Sequence, residues 1–288
     1  MESGINIPGG TPMINRHEYV LSNGVRIPSV GFGTWQIQNG AEAYDATRHA
    51  LKVGYRHVDT AAAYGNEESV GRALRDAGLS RDEVFVTSKL KAELKGYRTA
   101  RDEYEQTIRR LGVDKLDLYL IHAPKPWSVN SSGLEYTEQN IETWKAFVDL
   151  YKEGRVRSIG VSNFRPEHLR PIIDATGFAP HANQIFLCPG DPQKATVDFS
   201  RPYGILTEAY SPLATGRIFK VESLHRIAAK YGVTIAQLAI RWSLQKGFLP
   251  LPKSVTPERI ANNLDVYGFD ISAFDLAEME DIVLPPWR

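Results

Sequence analysis

Residues 116–122 read LDLYLIH. A run this short and this nearly continuous in its apolar content reads as a strand covered on both faces, and it finishes on a polar histidine. Comparable runs recur along the chain: SVGFGTW at 29–35, YRHVDT at 55–60, VFVTSKL at 84–90, RSIGVSN at 157–163, HANQI at 181–185, GILTEAY at 204–210 and FLPLPKS at 248–254. Together with LDLYLIH these make eight candidate strands. Helical segments lie between them, with Gly54, Gly78, Gly112, Gly154, Gly177 and Gly232 where a helix needs a left-handed end. Asn66, Thr99, Asp191 and Thr234 stand at expected N-caps, with Pro192 at a first helical position.

Strict alternation of doubly covered strands with helices implies parallel β with helices outside. Eight such units in about 250 residues rank a closed (β/α)8 TIM barrel above an open doubly wound sheet. YVLSNGVRIP at 19–28 is a hairpin around Asn23-Gly24, expected to plug one end of the barrel. SAFDLAEMEDIV at 272–283 reads as an amphipathic closing helix before a short LPPWR tail. The organisation expected is a flexible leader over 1–17 and one barrel domain over 18–288.

The chain has 288 residues, with Lys plus Arg at 34 and Asp plus Glu at 34. That balance supplies no field to recruit nucleic acid or an anionic membrane. The single cysteine, Cys188, excludes an internal disulfide framework. No apolar stretch is long enough for a membrane span, and MESGINIPGGTPMINRHE lacks the apolar region of a signal peptide. A soluble cytoplasmic protein is expected. The seven histidines show no paired ligand spacing, which argues against a metal-assisted barrel hydrolase.

Barrel chemistry collects at the C-terminal ends of the strands. Here the runs end on Asp59, Lys89, His122, Ser162-Asn163, Gln184, Tyr210 and Lys253-Ser254. Asp59 and Lys89 end neighbouring strands and are within reach of an ion pair. Tyr64 follows in the next loop, where a nearby ammonium is expected to lower the phenol pKa. His122 is placed to aim a ring N–H at an oxygen beside that phenol. An acid and a hydrogen-bond donor converging on one oxygen is what carbonyl reduction requires. Taken singly, an Asp–Lys pair is often structural, His122 is as readily a satisfied rim histidine, and Tyr64 a packing residue. The four together are more specific. No glycine-rich phosphate loop is present, since GFGTW at 31–35 lacks the third glycine and the following helix. LPKSVTPERIANN at 251–263 offers Lys253, Ser254 and Arg259 around a helix start, a set that suits a phosphate or, equally, an ordinary solvated loop.

GYRHVDTAAAYGNEESVG at 54–71, RSIGVSNF at 157–164 and LPKSVTPERIANNLDV at 251–266 stand in the order found in the aldo-keto reductase family, which the chain resembles from about residue 18 onward. The resemblance implies a barrel binding NADPH in an extended pose, without a metal, and the reduction of small aldehydes, α-keto carbonyls or keto-sugars to alcohols. It implies a catalytic tetrad of Asp59, Tyr64, Lys89 and His122, with Tyr64 the general acid. Ser162, Asn163 and Gln184 would hold the nicotinamide carboxamide, Tyr210 would stack on the ring, and Ser211, Leu213 and Thr215 would line the pyrophosphate. Lys253, Ser254 and Arg259 would grip the 2′-phosphate, with Val255, Asn262 and Asn263 near the adenine. Trp35 and Trp127 would wall the substrate pocket. Four residues depart from the family pattern: Ala123, expected to leave room near the carbonyl, and Phe186, Cys188 and Asn262. The rival reading is an NADPH-sensing scaffold of the same fold with little turnover.

Overall fold

The computed structural model describes residues 13–15 and 17–286. Residues 1–12 and 16 of the expected leader, and the last two residues of the tail, lie outside the described residues. Three short strands, β1 (Met13–Asn15), β2 (Glu18–Val20) and β3 (Arg26–Pro28), pair antiparallel, so a strand falls inside the stretch expected as leader. The hairpin between β2 and β3 turns over Ser22–Gly24, with Gly24 at φ 83° and Leu21 N–H bonded to Val25 O at 2.9 Å. Asn23 ties this turn to the barrel, donating from Nδ2 to Arg157 O at 3.0 Å and Ser158 Oγ at 3.2 Å.

The barrel strands are β4 (Phe32–Gly33), β5 (His57–Asp59), β6 (Phe85–Leu90), β7 (Leu116–Ile121), β8 (Val156–Ser162), β9 (Ala182–Phe186), β10 (Leu206–Tyr210) and β11 (Leu249–Leu251). Each pairs parallel with its sequence neighbour. The ring closes through Gly31 N–H to Pro250 O at 3.1 Å and Gly33 N–H to Pro252 O at 3.0 Å. A Cβ on Gly33 would stand 3.2 Å from Leu251 O, so glycine permits the approach of first strand to last.

Helices α1 (Ala41–Lys52), α2 (Glu67–Asp76), α3 (Tyr97–Leu111), α4 (Thr137–Lys152), α5 (Pro166–Thr176) and α6 (Lys194–Ser200) each follow a strand. The pair α7 (Glu222–Tyr231) and α8 (Ile235–Gln245) follows β10, and α9 (Pro257–Leu264) with α10 (Ala273–Glu280) completes the chain. All six glycines expected at helix ends have positive φ. Thr234 caps α8, accepting from Gln237 N–H at 3.1 Å. Asn66 precedes α2 without capping it by its side chain. Two expected caps are displaced. Helix α3 begins at Tyr97, because Gly96 O already accepts from Ala100 N–H, which puts Thr99 inside the first turn. Helix α6 begins at Lys194, beyond Pro192, because the Asp191 backbone is committed to a turn with Cys188.

Alternation inside the barrel decides where polar groups can gather. Phe85, Leu118, Leu120, Ala182, Leu206 and Leu249 fill the interior against Tyr19, Leu21 and Ile27 of the hairpin plug. Every second residue of a strand shares a face, so continuing inward from Phe85 leads to Thr87 and Lys89, and from Leu206 to Glu208 and Tyr210. The intervening residues, such as Val86, Tyr119, Ile121, Ile159 and Val161, pack outward against the helical shell. The barrel axis therefore runs from an apolar, plugged end to a polar rim.

Candidate active site

At the polar rim Lys89, fully buried, donates from Nζ to Asp59 Oδ1 at 2.6 Å, Thr60 O at 2.9 Å and the Tyr64 hydroxyl at 3.2 Å. The ammonium has three hydrogens and three acceptors, so the dry position is saturated. Burial alone would lower the Lys89 pKa, but Asp59 and Tyr64 outweigh it and hold the value above the ordinary one. Tyr64 ends a short 3-10 turn, Ala62–Tyr64, that Gly65 terminates in the left-handed region at φ 69°. Ala61 and Ala62, which lead into this turn, are buried. Asn66 anchors the same loop. It accepts from Thr60 Oγ1 at 3.0 Å and donates to Thr34 O and Ile37 O, each at 3.0 Å, tying the tyrosine loop to the exit of β4.

The expected lowering of the Tyr64 pKa is not what the site produces. Burial raises it, the Lys89 ammonium lowers it, and Asp59 raises it again, with a net shift upward. The phenol thus keeps its proton at neutral pH. His122, one residue past β7, packs its ring edge-on to Tyr64 with centroids 5.5 Å apart. Burial, then Lys89 and Lys95, pull its pKa down to about 3, so the imidazole is neutral. Its Nδ1 is buried without a partner among the described residues.

Asp59, Tyr64, His122, Ser162, Asn163, Gln184, Tyr210, Ser211, Leu213, Thr215 and Lys253 border one cleft of about 670 Å³, with Trp35 and Trp127 as half-exposed walls. Gln36, Asn163, Ser211 and Thr215, all non-glycine residues at positive φ, lie on this cleft. Such backbone strain concentrates where a site demands a fixed shape. Ser162, Asn163 and Tyr210 are bonded to one another: Ser162 Oγ donates to Gln184 O at 2.8 Å, Asn163 Nδ2 to His122 O and Ser162 Oγ at 3.0 Å each, and Tyr210 OH to Asn163 Oδ1 at 2.8 Å. Gln184 Nε2 donates to Asp59 Oδ2 and to Glu208 Oε2, both at 2.8 Å.

Ser254, Val255, Arg259, Asn262 and Asn263 do not border the cleft. Ser254 is buried, its hydroxyl accepting from Thr256 N–H at 3.1 Å, while Arg259 and Asn262 are exposed on α9 and Asn263 is buried. Lys253 and Arg259 form no ion pair among the described residues. Ala123 is buried and borders a neighbouring recess of about 320 Å³, so the room it leaves opens beside the main cleft, behind a wall of Trp127, Asn163 and Tyr210. Phe186 meets Tyr210 edge-on at 5.9 Å, and the buried Cys188 thiol is pushed up to about 12 by burial, which makes it inert. Glu208 escaped the sequence reading, although a carboxylate inside the apolar run GILTEAY was a signal for it. No cluster of His, Cys, Asp and Glu among the described residues is arranged to hold a metal, and no described helix is long and apolar enough to cross a membrane.

A model of the aldo/keto reductase family matches residues 29–284. An aldo-keto reductase of Mycobacterium sp. (strain KMS) is 44% identical over 95% of this chain and 94% of its own. Methylglyoxal reductase DkgA of Escherichia coli (strain K12) is 41% identical over 93% of this chain and 94% of its own. The crystal structure of a mutant of Gox0644 in complex with NADPH superposes with a TM-score of 0.84 at 43% identity, covering 91% of this chain and 92% of that one.

Proposed function

The chain belongs to the aldo/keto reductase family, and from that premise we propose that it reduces small aldehydes and ketones with NADPH, methylglyoxal-type dicarbonyls among them. The observation that carries this reading is the chain of contacts from Asp59 through Lys89 to Tyr64, beside a neutral His122, on one side of a single cleft. The reduced nicotinamide, when bound, supplies the hydride.

Tyr64 holds the proton to be delivered, at its hydroxyl oxygen. As the proton leaves for the substrate oxygen, Lys89 faces a phenolate 3.2 Å from its ammonium and stabilises it, in a dry setting where such a charge pair counts for more than in water. Asp59 holds Lys89 in place and offsets its desolvation. His122, uncharged, donates a ring N–H to the same substrate oxygen. Trp35 and Trp127 limit water at the cleft mouth.

The residues present fit a nicotinamide dinucleotide. Asn163 has spent its donors on Ser162 Oγ and His122 O, Ser162 its own on Gln184 O, and Gln184 Nε2 is occupied, so the patch offers acceptors suited to a carboxamide NH2. Tyr210 supplies a ring face, Ser211 and Thr215, both at positive φ, line the pyrophosphate with Leu213, and the uncompensated Lys253 and Arg259, with Ser254, offer a seat for a 2′-phosphate. Val255, Asn262 and Asn263 lie toward the adenine end of that arrangement.

NADPH oxidation by methylglyoxal tests the reading. Tyr64→Phe is expected to bind NADPH as the parent does while losing about 10²–10⁴ in turnover. Parental turnover by that variant would remove Tyr64 from the role of acid.

A further inference from the structure

Glu208 has no part in the chemistry above, yet it lies wholly buried in the barrel, facing Gln184 in register across β9 and β10. A carboxyl group in a dry core is costly unless it is bonded. Its Oε2 accepts from Gln184 Nε2 at 2.8 Å, and its Oε1 has no partner among the described residues. Gln184 Nε2 donates its other hydrogen to Asp59 Oδ2, also at 2.8 Å. Asp59 in turn receives Lys89 at Oδ1 and can only accept. The amide nitrogen must therefore face Asp59, and Glu208 takes the hydrogen that remains. Gln184 borders the cleft with only its amide oxygen left to bond a ligand.

We propose that Glu208 is a positioning residue: with Asp59 it clamps the Gln184 amide nitrogen from two sides and so fixes the Gln184 oxygen as a hydrogen-bond acceptor for the carboxamide of a bound nicotinamide. The inference rests on the cleft being a nicotinamide site. A shorter or apolar side chain at 208 leaves one amide hydrogen unbonded in a dry place. The amide then rotates to satisfy it, and the acceptor is lost. The charged groups facing Glu208 are Asp59 and Lys89, and Lys89 holds the Asp59 carboxylate in place whatever stands at position 208.

The test is direct NADPH titration by fluorescence, with steady-state kinetics on methylglyoxal. The parent comes first: absence of NADPH binding by the parent overturns the assignment of the cleft, and with it this inference. Given a binding parent, Glu208→Leu is expected to weaken NADPH at least tenfold. Glu208→Gln, which still offers an oxygen to Gln184, is expected to restore affinity to within about threefold. In a Gln184→Met background the Leu and Gln variants at 208 should bind NADPH equally, because the group they act through is gone. Should Glu208→Leu fail to fold, Glu208→Asp, whose carboxyl is withdrawn by one methylene, carries the same expected loss. Affinity within twofold of the parent for the folded Leu or Asp variant, or an undiminished effect of position 208 in the Gln184→Met background, overturns the proposal.

Discussion

Lys89 Nζ stands 3.2 Å from the Tyr64 hydroxyl, and yet the phenol pKa lies above its ordinary value, because burial outweighs the ammonium. On the proposed mechanism the pair serves the phenolate that forms during proton transfer, while the resting phenol keeps its proton. Lys89→Met is accordingly expected to cost about 10²–10⁴ in turnover. The same change strands the Asp59 carboxylate in a dry site, at about 3–5 kcal/mol of stability. Pairing it with Asp59→Leu should recover much of the melting temperature and none of the turnover. Turnover returning with stability would show that the ion pair serves only the fold.

Stability is expected to fall toward both acid and alkali for separate reasons. His57 and His122 are held neutral down to about 3 by burial, while in the unfolded chain they titrate near 6.5. The unfolded state takes up protons that the folded state refuses, so stability drops as pH falls from about 6.5 toward 3. Glu208 works in the opposite sense. Burial and then Asp59 push its pKa up to about 8, so the folded state keeps a proton that the unfolded chain releases. That stability is present below the ordinary carboxylate range and is lost as pH rises to about 8, by at most about 1.4 kcal/mol per pH unit. Melting curves of Glu208→Gln should gain on the parent between pH 5 and 8 and run parallel to it above. A constant difference across that range would refute the assignment to Glu208.

Gly71 on α2 lies against α3, where an added Cβ would stand 2.0 Å from Leu111 O. Backbone cannot yield there as a flexible side chain would, so the two helices must part. Gly71→Ala is expected to cost more than about 3 kcal/mol. Gly78→Ala, with open space around it and only a positive φ to oppose the methyl, should cost about 1 kcal/mol. Chemical denaturation of the two variants checks the ordering, and equal losses would argue against the close helix contact.

Ala123→Trp is expected to fill the recess behind Trp127 and Tyr210 and leave the main cleft open. KM for methylglyoxal should stay within about threefold while aldehydes with bulky tails lose activity. A uniform loss across all aldehydes would mean that the indole enters the reacting site itself.

The barrel was legible in the sequence because its determinants are local: short runs apolar at nearly every position, and glycines where helices must turn left-handed. The runs also announced Asp59, Lys89 and His122 at their ends. Boundaries were read less well where a neighbouring backbone bond competed with a cap, as at Asp191, whose backbone closes a turn with Cys188. The direction of the Tyr64 shift depended on how much water the finished fold removes, which residue types do not disclose. Glu208 and Gln184 are 24 positions apart and meet only through strand register. Residue identity and spacing determined which groups exist and on which side of each strand they stand. Tertiary structure alone decided which of them share a dry space, because burial and pairing arise from the closure of the ring and from no single segment of it.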